Sequence, residues 1–168
     1  MTSATTNFSW STDSTKISEL ATFFIENVEP SYISHGEVHY GRATDLQTWS
    51  PELRAILEEG FEYAMSAEGG GESCFSLATA ECDGVTIGLA IVEFKHDTRV
   101  AILQDLVIAQ SYRAKKIGAK FLLWIEDEAR KKDMKSLFLE SGIKNRRAHH
   151  FFEHNGFTVC SVEMVKEL

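Results

Sequence analysis

Asp83-Gly84 lies between two long apolar runs, Cys74 to Cys82 and Val85 to Phe94. An Asp-Gly pair between strand-forming runs specifies a two-residue hairpin, because both central residues of that turn take positive φ. A turn at Lys95 to Thr98 leads into a third run, Arg99 to Ile108, so the middle of the chain is expected to be an antiparallel meander. The next segment differs in kind. Ile117, Phe121, Trp124 and Ile125 recur at helical spacing up to about Lys132, and Ser136 to Ser141 returns to a short strand. Strand, crossover helix and strand make one right-handed parallel unit. Together these segments require an α/β (α+β) fold with a mixed, mostly antiparallel central sheet flanked by helices.

The flanking segments supply the other helices. Asp13 or Ser14 caps a helix carrying Ile17, Leu20, Ala21, Phe24 and Val28, which Pro30 ends. Ser50-Pro51 is an N-cap followed by a first-turn proline, and Leu53, Ile56, Leu57, Phe61, Ala64 and Met65 then share one face up to Gly69-Gly70-Gly71. Residues 1 to 12 read as loose apart from a short strand around Phe8 to Trp10. From Glu29 to Trp49 there is no sustained period, which predicts a shaped loop. A last helix is expected from Asn145 to Gly156, with Phe157 to Glu167 completing the sheet as one long or two short strands. No repeat or linker divides residues 1–168, so one domain is expected.

Composition narrows the function classes. The chain has 168 residues and a formal net charge of -8, but the charge is uneven. Residues 1–84 hold 14 acidic and 3 basic residues, net -11, and residues 85–168 hold 11 and 14, net +3. A polyanionic ligand belongs with the second half, and the acidic first half suits a cationic partner. Nucleic acid is disfavoured as a partner. No apolar run is long enough to span a bilayer, and MTSATTNFSW does not read as a secretory signal. Cys74, Cys82 and Cys160 are widely spaced and suit free thiols in a reducing, cytoplasmic setting.

The candidate ligand site is Leu103 to Leu123, where the third strand of the meander runs through a basic turn straight into the crossover helix. The first N–H groups of a helix have no intrahelical partner and point outward with the positive end of the dipole behind them, which suits a phosphate. Arg113, Lys115, Lys116 and Lys120 add cations there. Neither the P-loop pattern nor the dinucleotide GxGxxG is present. The histidines are read as lacking the spacing of metal ligands, and no GxSxG nucleophile elbow occurs, so no metal is expected.

Two segments carry a resemblance. Arg113-Ala-Lys-Lys-Ile-Gly118 is similar to the pyrophosphate-binding signature [QR]xxGx[GA] of the GCN5-related N-acetyltransferase (GNAT) superfamily, with Lys116 in place of the first glycine. Asn145 to Phe157, NRRAHHFFEHNGF, resembles the family's NxxAxxFYxxxGF, with Asn145, Ala148, Phe151, Gly156 and Phe157 in register. The resemblance covers roughly Cys74 to Leu168. It implies an N-acetyltransferase that uses acetyl-CoA as co-substrate and acts on an amine, here expected to be a cationic small molecule or peptide. It also implies that the donor strand and the strand after the crossover helix splay apart to admit the pantetheine arm.

On that resemblance the cofactor residues are Leu106, Val107 and Ile108 on the donor strand, then Arg113, Ala114, Lys115, Lys116, Ile117, Gly118, Ala119 and Lys120 at the turn. Asn145, Ala148, Phe151 and Phe152 complete the set from the last helix. A main-chain N–H near Leu106 would stabilise the oxyanion. The family's base position on the donor strand is Gln104, which accepts no proton at neutral pH, so Glu140 on the later strand is the first choice and Asp105 the next. The family's leaving-group acid, a tyrosine, is replaced by Phe152, with His149 one turn earlier as a water-mediated substitute. These losses keep a second reading open, a non-catalytic acyl-CoA-binding or regulatory protein. A homodimer is left open as well.

Overall fold

The computed structural model describes residues 5–66, 73–166 and 168. Strand β1 (Thr6–Trp10) precedes helix α1 (Ile17–Asn27), a five-residue helix α2 (His35–His39), a small hairpin β2 (Ala43–Asp45) and β3 (Thr48–Trp49), and helix α3 (Leu53–Ser66). Then come β4 (Ser73–Cys82), β5 (Val85–Lys95), β6 (Val100–Ile108), helix α4 (Ile117–Lys131), β7 (Ser136–Leu139) and helix α5 (Arg146–His154). The main sheet has the order β1-β4-β5-β6-β7, antiparallel except for the β6–β7 pair. This is the mixed sheet that the hairpin and the crossover require.

Local chemistry accounts for the boundaries. Asp83 and Gly84 take φ of 51° and 79°, the two positive angles the hairpin turn needs. The Asp13 carboxylate accepts the Thr15 N–H, capping a 3-10 turn that runs into α1. Ser50 Oγ accepts the Glu52 N–H ahead of α3, and the Asn145 side chain accepts the Ala148 N–H to cap α5. The predicted triple-glycine stop, Gly69 to Gly71, lies outside the described residues.

The sheet separates two cores. On one face α4 buries Phe121, Leu122, Ile125 and Ala129 against Ala90, Val92, Phe94, Ala101 and Leu103. On the other, α1 and α3 bury Leu20, Phe24, Leu57 and Phe61 against Leu77, Leu89, Ile91 and Val107. Each fully buried Leu or Phe here contributes about 1.5–3 kcal/mol. Ala101 and Leu103 thus face α4, whereas Val107 on the same strand faces α1 and α3. The cause is a β-bulge: Ile91 pairs with Asp105 and Val92 with Leu103, which leaves Gln104 as the extra residue. Because of it, Asp105 and Val107 turn to the α1/α3 face.

Two expectations are corrected. Residues 29–49 are not one loop, since α2 and the β2–β3 hairpin lie within them; HGEVH has no apolar period to announce a helix. Residues 157–166 form no strand. Apolar residues in that tail fall on both phases of a two-residue repeat (Phe157, Val159 and Val165 against Val162 and Met164), so no single register buries one face, and Val159, Val162, Met164 and Val165 are exposed.

Candidate active site

Pairing between β6 and β7 runs from Val100–Ser136 to Leu103–Leu139 and stops there. Beyond it β6 continues to Ile108, whereas β7 ends at Leu139, so among the described residues no strand lies beside the rest of this β6 edge. A cleft of about 770 Å³ reaches from the start of α4 past the β6 edge to α2. Of the residues assigned to the cofactor, all but Lys115, Ile117 and Lys120 line it.

At the α4 end the chain is built to leave N–H groups open. Lys116 is the N-cap of α4, with φ 63° and ψ 7°, and its side chain makes no capping hydrogen bond. This left-handed conformation explains the family's glycine at that position; a residue with a side chain holds it at a cost of roughly 1–2 kcal/mol. Gly118 lies against the Phe151 ring, so α4 and α5 meet beside the turn. Lys115 Nζ sits 4.8 Å over the Tyr112 ring. Lys120 lies with Lys116 and Ala119 on a shallow adjoining depression. Arg113 is turned inward: its guanidinium donates to the backbone carbonyls of Ile108 and Asn27, tying the end of β6 to the end of α1. Burial, and then neighbouring Arg147, lower its pKa.

At the α2 end the chemistry is carboxylate-rich. Asp105 is 2% exposed and fully engaged: Arg42 Nη2 donates to Oδ2 at 2.9 Å, and Arg42 Nη1 (3.3 Å) and the Tyr32 hydroxyl (2.8 Å) donate to Oδ1. Burial disfavours the Arg42 charge, but Asp105 and Glu37 outweigh it and hold the guanidinium above its ordinary value. Burial, and then Asp105, raise the Tyr32 phenol well above its usual range. Glu37 lies beside Arg42, with Oε1 3.3 Å from Nη1. Its carboxyl is pushed up to about 7, by burial first and then by Asp105, against the opposing pull of Arg42 and with a further push from Glu140. Glu140 closes this end from the chain just after β7, its Oε1 accepting the Gly36 N–H (3.3 Å) and its Oε2 lying 3.0 Å from His35 Nε2.

Sequence reasoning missed Glu37, Arg42, Tyr32 and His35, because nothing in residues 29–49 marks which side chains turn inward. One reading was wrong on the sequence itself: His35 and His39 do have the i, i+4 spacing, as do His150 and His154. His35, His39 and Glu163 bring donor atoms within 4.8 Å of one another. His35 Nε2 lies 3.0 Å from Glu140 Oε2 and also contacts the Glu163 carboxylate, so the chain after α5 reaches the α2 end of the cleft. Phe152 lines the cleft and packs edge-on to Phe151 and Phe157; His149 is not among the lining residues.

Comparison with known proteins places this geometry. The family model described as "Acetyltransferase (GNAT) family" matches residues 41–157. An aminoalkylphosphonate N-acetyltransferase of Salmonella typhimurium is 33% identical over 73 residues, which are 44% of this chain and 47% of that protein, so the match spans about half of that relative. An uncharacterized N-acetyltransferase of Bacillus subtilis, YhfO, is 29% identical over 70% of this chain and 73% of its own length. Among solved structures, the PaiA N-acetyltransferase of Thermoplasma acidophilum in complex with coenzyme A superposes with a TM-score of 0.74 at 19% identity, covering 95% of this chain and 93% of that one. The aminoglycoside N-acetyltransferase AAC(6')-Iy in complex with CoA superposes with a TM-score of 0.69 at 12% identity, covering 99% and 96%. With both signature segments at the cleft and a family match over most of its length, this chain belongs to the GNAT family of acetyltransferases.

Proposed function

We propose that this protein transfers an acetyl group from acetyl-CoA to a primary amine of a cationic small molecule or peptide. The observation that carries the reading is the polarity of the cleft. It opens at a basic helix start with no side-chain cap and ends among carboxylates, with the uncovered edge of β6 between. A polyanionic donor suits the first end and an ammonium the second. The turn from Arg113 to Lys120 takes the pyrophosphate, and the free edge of β6 at Leu106–Ile108 takes the pantetheine arm. The Leu106 main-chain N–H faces the developing oxyanion.

The amine nitrogen attacks the thioester carbonyl carbon and the C–S bond breaks. With Phe152 at the family's tyrosine position, the thiolate leaves without a phenol to protonate it. A thiol with a pKa of about 8.5 makes a tolerable leaving group and takes its proton from water. Glu140 holds the position that the resemblance gives to the base, whereas Asp105 is committed to Arg42 and Tyr32.

The test is thiol release from acetyl-CoA with three amines: an aminoalkylphosphonate, an aminoglycoside and 1,4-diaminobutane. Amine-dependent turnover with the aminoglycoside or 1,4-diaminobutane is the expected result. The aminoalkylphosphonate, whose phosphonate is anionic, is the contrast, and turnover with it alone would overturn the cationic acceptor. Tight coenzyme A binding without turnover would favour the non-catalytic reading that Gln104 and Phe152 keep open.

A further inference from the structure

We propose that Glu37 on α2 is the group that takes the proton from the acceptor's ammonium, and that Glu140 serves to hold α2 in place for it. This rests on the acetyl-transfer reading of the cleft.

The three carboxylates at this end differ in what their oxygens already do. Both oxygens of Asp105 accept from Arg42, and one also accepts from Tyr32. Both oxygens of Glu140 are engaged, by the Gly36 N–H and by His35. Glu37 alone of the three keeps one open: Oε1 faces Arg42, but Oε2 is buried without a hydrogen-bond partner among the described residues. Its side chain is 7% exposed and lines the cleft. A buried acceptor left unpaired is costly, and a fold that retains one in a ligand cleft keeps it for a donor that arrives with the ligand.

Charge points the same way. One guanidinium, Arg42, stands between two carboxylates, and its closer contacts go to Asp105. The surplus negative charge is left on Glu37, where an ammonium fits. The charged and titratable groups facing it are Arg42 from the chain after α2, Asp105 from β6, Tyr32 from the turn before α2 and Glu140 from the end of β7, with His35 and His39 on its own helix. Its carboxyl, pushed up to about 7, exchanges its proton near neutrality, where a general base works best.

The step balances simply. The ammonium gives one proton to Glu37 Oε2, and the free amine forms the C–N bond as the C–S bond breaks. The nitrogen's second proton reaches the departing sulfur through water, and Glu37 returns its proton to solvent through the cleft. The products are the acetamide, the thiol of coenzyme A and one released proton.

The same carboxyl couples stability to pH. Raised in the folded state, it binds its proton more tightly there than in the unfolded chain. Its contribution is therefore most favourable below its ordinary value and is lost as pH rises from about 4.5 to about 7. Glu37→Gln removes that loss.

The experiment compares wild type, Glu37→Gln, Glu37→Asp and Glu140→Gln with whichever of the three amines turns over fastest. Glu37→Gln should lower kcat/KM by about 10²-fold at pH 7 and abolish the rise of rate centred near pH 7. Coenzyme A affinity should hold within about twofold, and Tm at pH 8 should exceed that of wild type. Glu37→Asp should restore part of the rate. Glu140→Gln should slow the reaction and keep the inflection, moved to slightly lower pH because its push on Glu37 is gone.

Loss of the inflection in Glu140→Gln rather than Glu37→Gln overturns the assignment, as does an unchanged profile in Glu37→Gln. Should Glu37→Gln fail to fold, carbon-detected titration of the wild-type carboxyl decides: a Glu37 that titrates at the ordinary glutamate value overturns the proposal. If wild type turns over none of the amines, the acetyl-transfer reading itself fails and the role of Glu37 falls with it.

Discussion

The two ends of the cleft handle charge in opposite ways. At the start of α4, Lys115, Lys116 and Lys120 are exposed, and water screens them until a ligand arrives. Around α2, Arg42, Asp105 and Glu37 are out of water and compensate one another. The first arrangement costs the fold little and gives binding strength that salt weakens. The second is part of the fold, so it fixes geometry and perturbs ionisation. A phosphate-bearing donor needs charge, whereas proton transfer needs a placed group with a shifted pKa. The contrast therefore separates binding from chemistry along one cleft.

The largest expected effect tests the buried end. Arg42→Ala leaves Asp105 and Glu37 facing each other without their cation, and breaking a buried pair costs about 3–5 kcal/mol. Chemical denaturation should show that loss, with the midpoint falling at unchanged slope. A loss below about 1 kcal/mol would mean that water reaches the cluster and that the two ends do not differ.

Next is the exposed end. Reversing charge at Lys116 and Lys120 together should weaken coenzyme A by about 10²-fold at low salt, less at high salt. Stability should stay nearly constant, and a fragment limited to the pantetheine arm should bind as before. Equal losses for both ligands would put the pyrophosphate elsewhere.

The same contrast explains what could be read in advance. Strand and helix positions follow from local chemistry: Asp83-Gly84 fixes a hairpin, Asn145 caps α5, and the apolar spacing of Phe121 and Ile125 sets the buried face of α4. The exposed cations are equally local, since Lys115, Lys116 and Lys120 fall within six consecutive residues. The α2 end is assembled over distance. Arg42 and Asp105 are 63 residues apart, and what brings them together is a one-residue bulge at Gln104 that alternation alone cannot reveal. Gly142 is a second such device: a Cβ there would lie 2.3 Å from the carbonyl oxygen of Ile33, so only glycine lets the turn after β7 close against the segment leading into α2. Arg113 shows the converse. Its place in the signature was legible, but its use in tying β6 to α1 was not.

Phe152 lies between the two ends. Adding a hydroxyl with Phe152→Tyr should raise kcat by about tenfold, because the family's phenol would then reach the leaving sulfur. Phe152→Leu should change activity only as far as packing in the aromatic cluster with Phe151 and Phe157 is disturbed. Collapse of activity in both variants, with folding intact, would show that the ring shapes the acceptor site.

The smallest effect is the most specific to this chain. Lys116 supplies a cation at a left-handed N-cap where the family signature has glycine. Lys116→Gly should therefore stabilise the protein by about 1 kcal/mol, which for a chain of this size raises Tm by about 2–4 °C. It should also weaken coenzyme A a few-fold through the lost charge. Lys116→Ala separates the two contributions, since it removes the same charge but keeps a Cβ in the left-handed conformation. Gly and Ala should then match in cofactor affinity and differ in Tm. If Gly binds coenzyme A much more tightly than Ala, the backbone rather than the ammonium governs the pyrophosphate site, and the exposed end would owe its binding to the open N–H groups of α4.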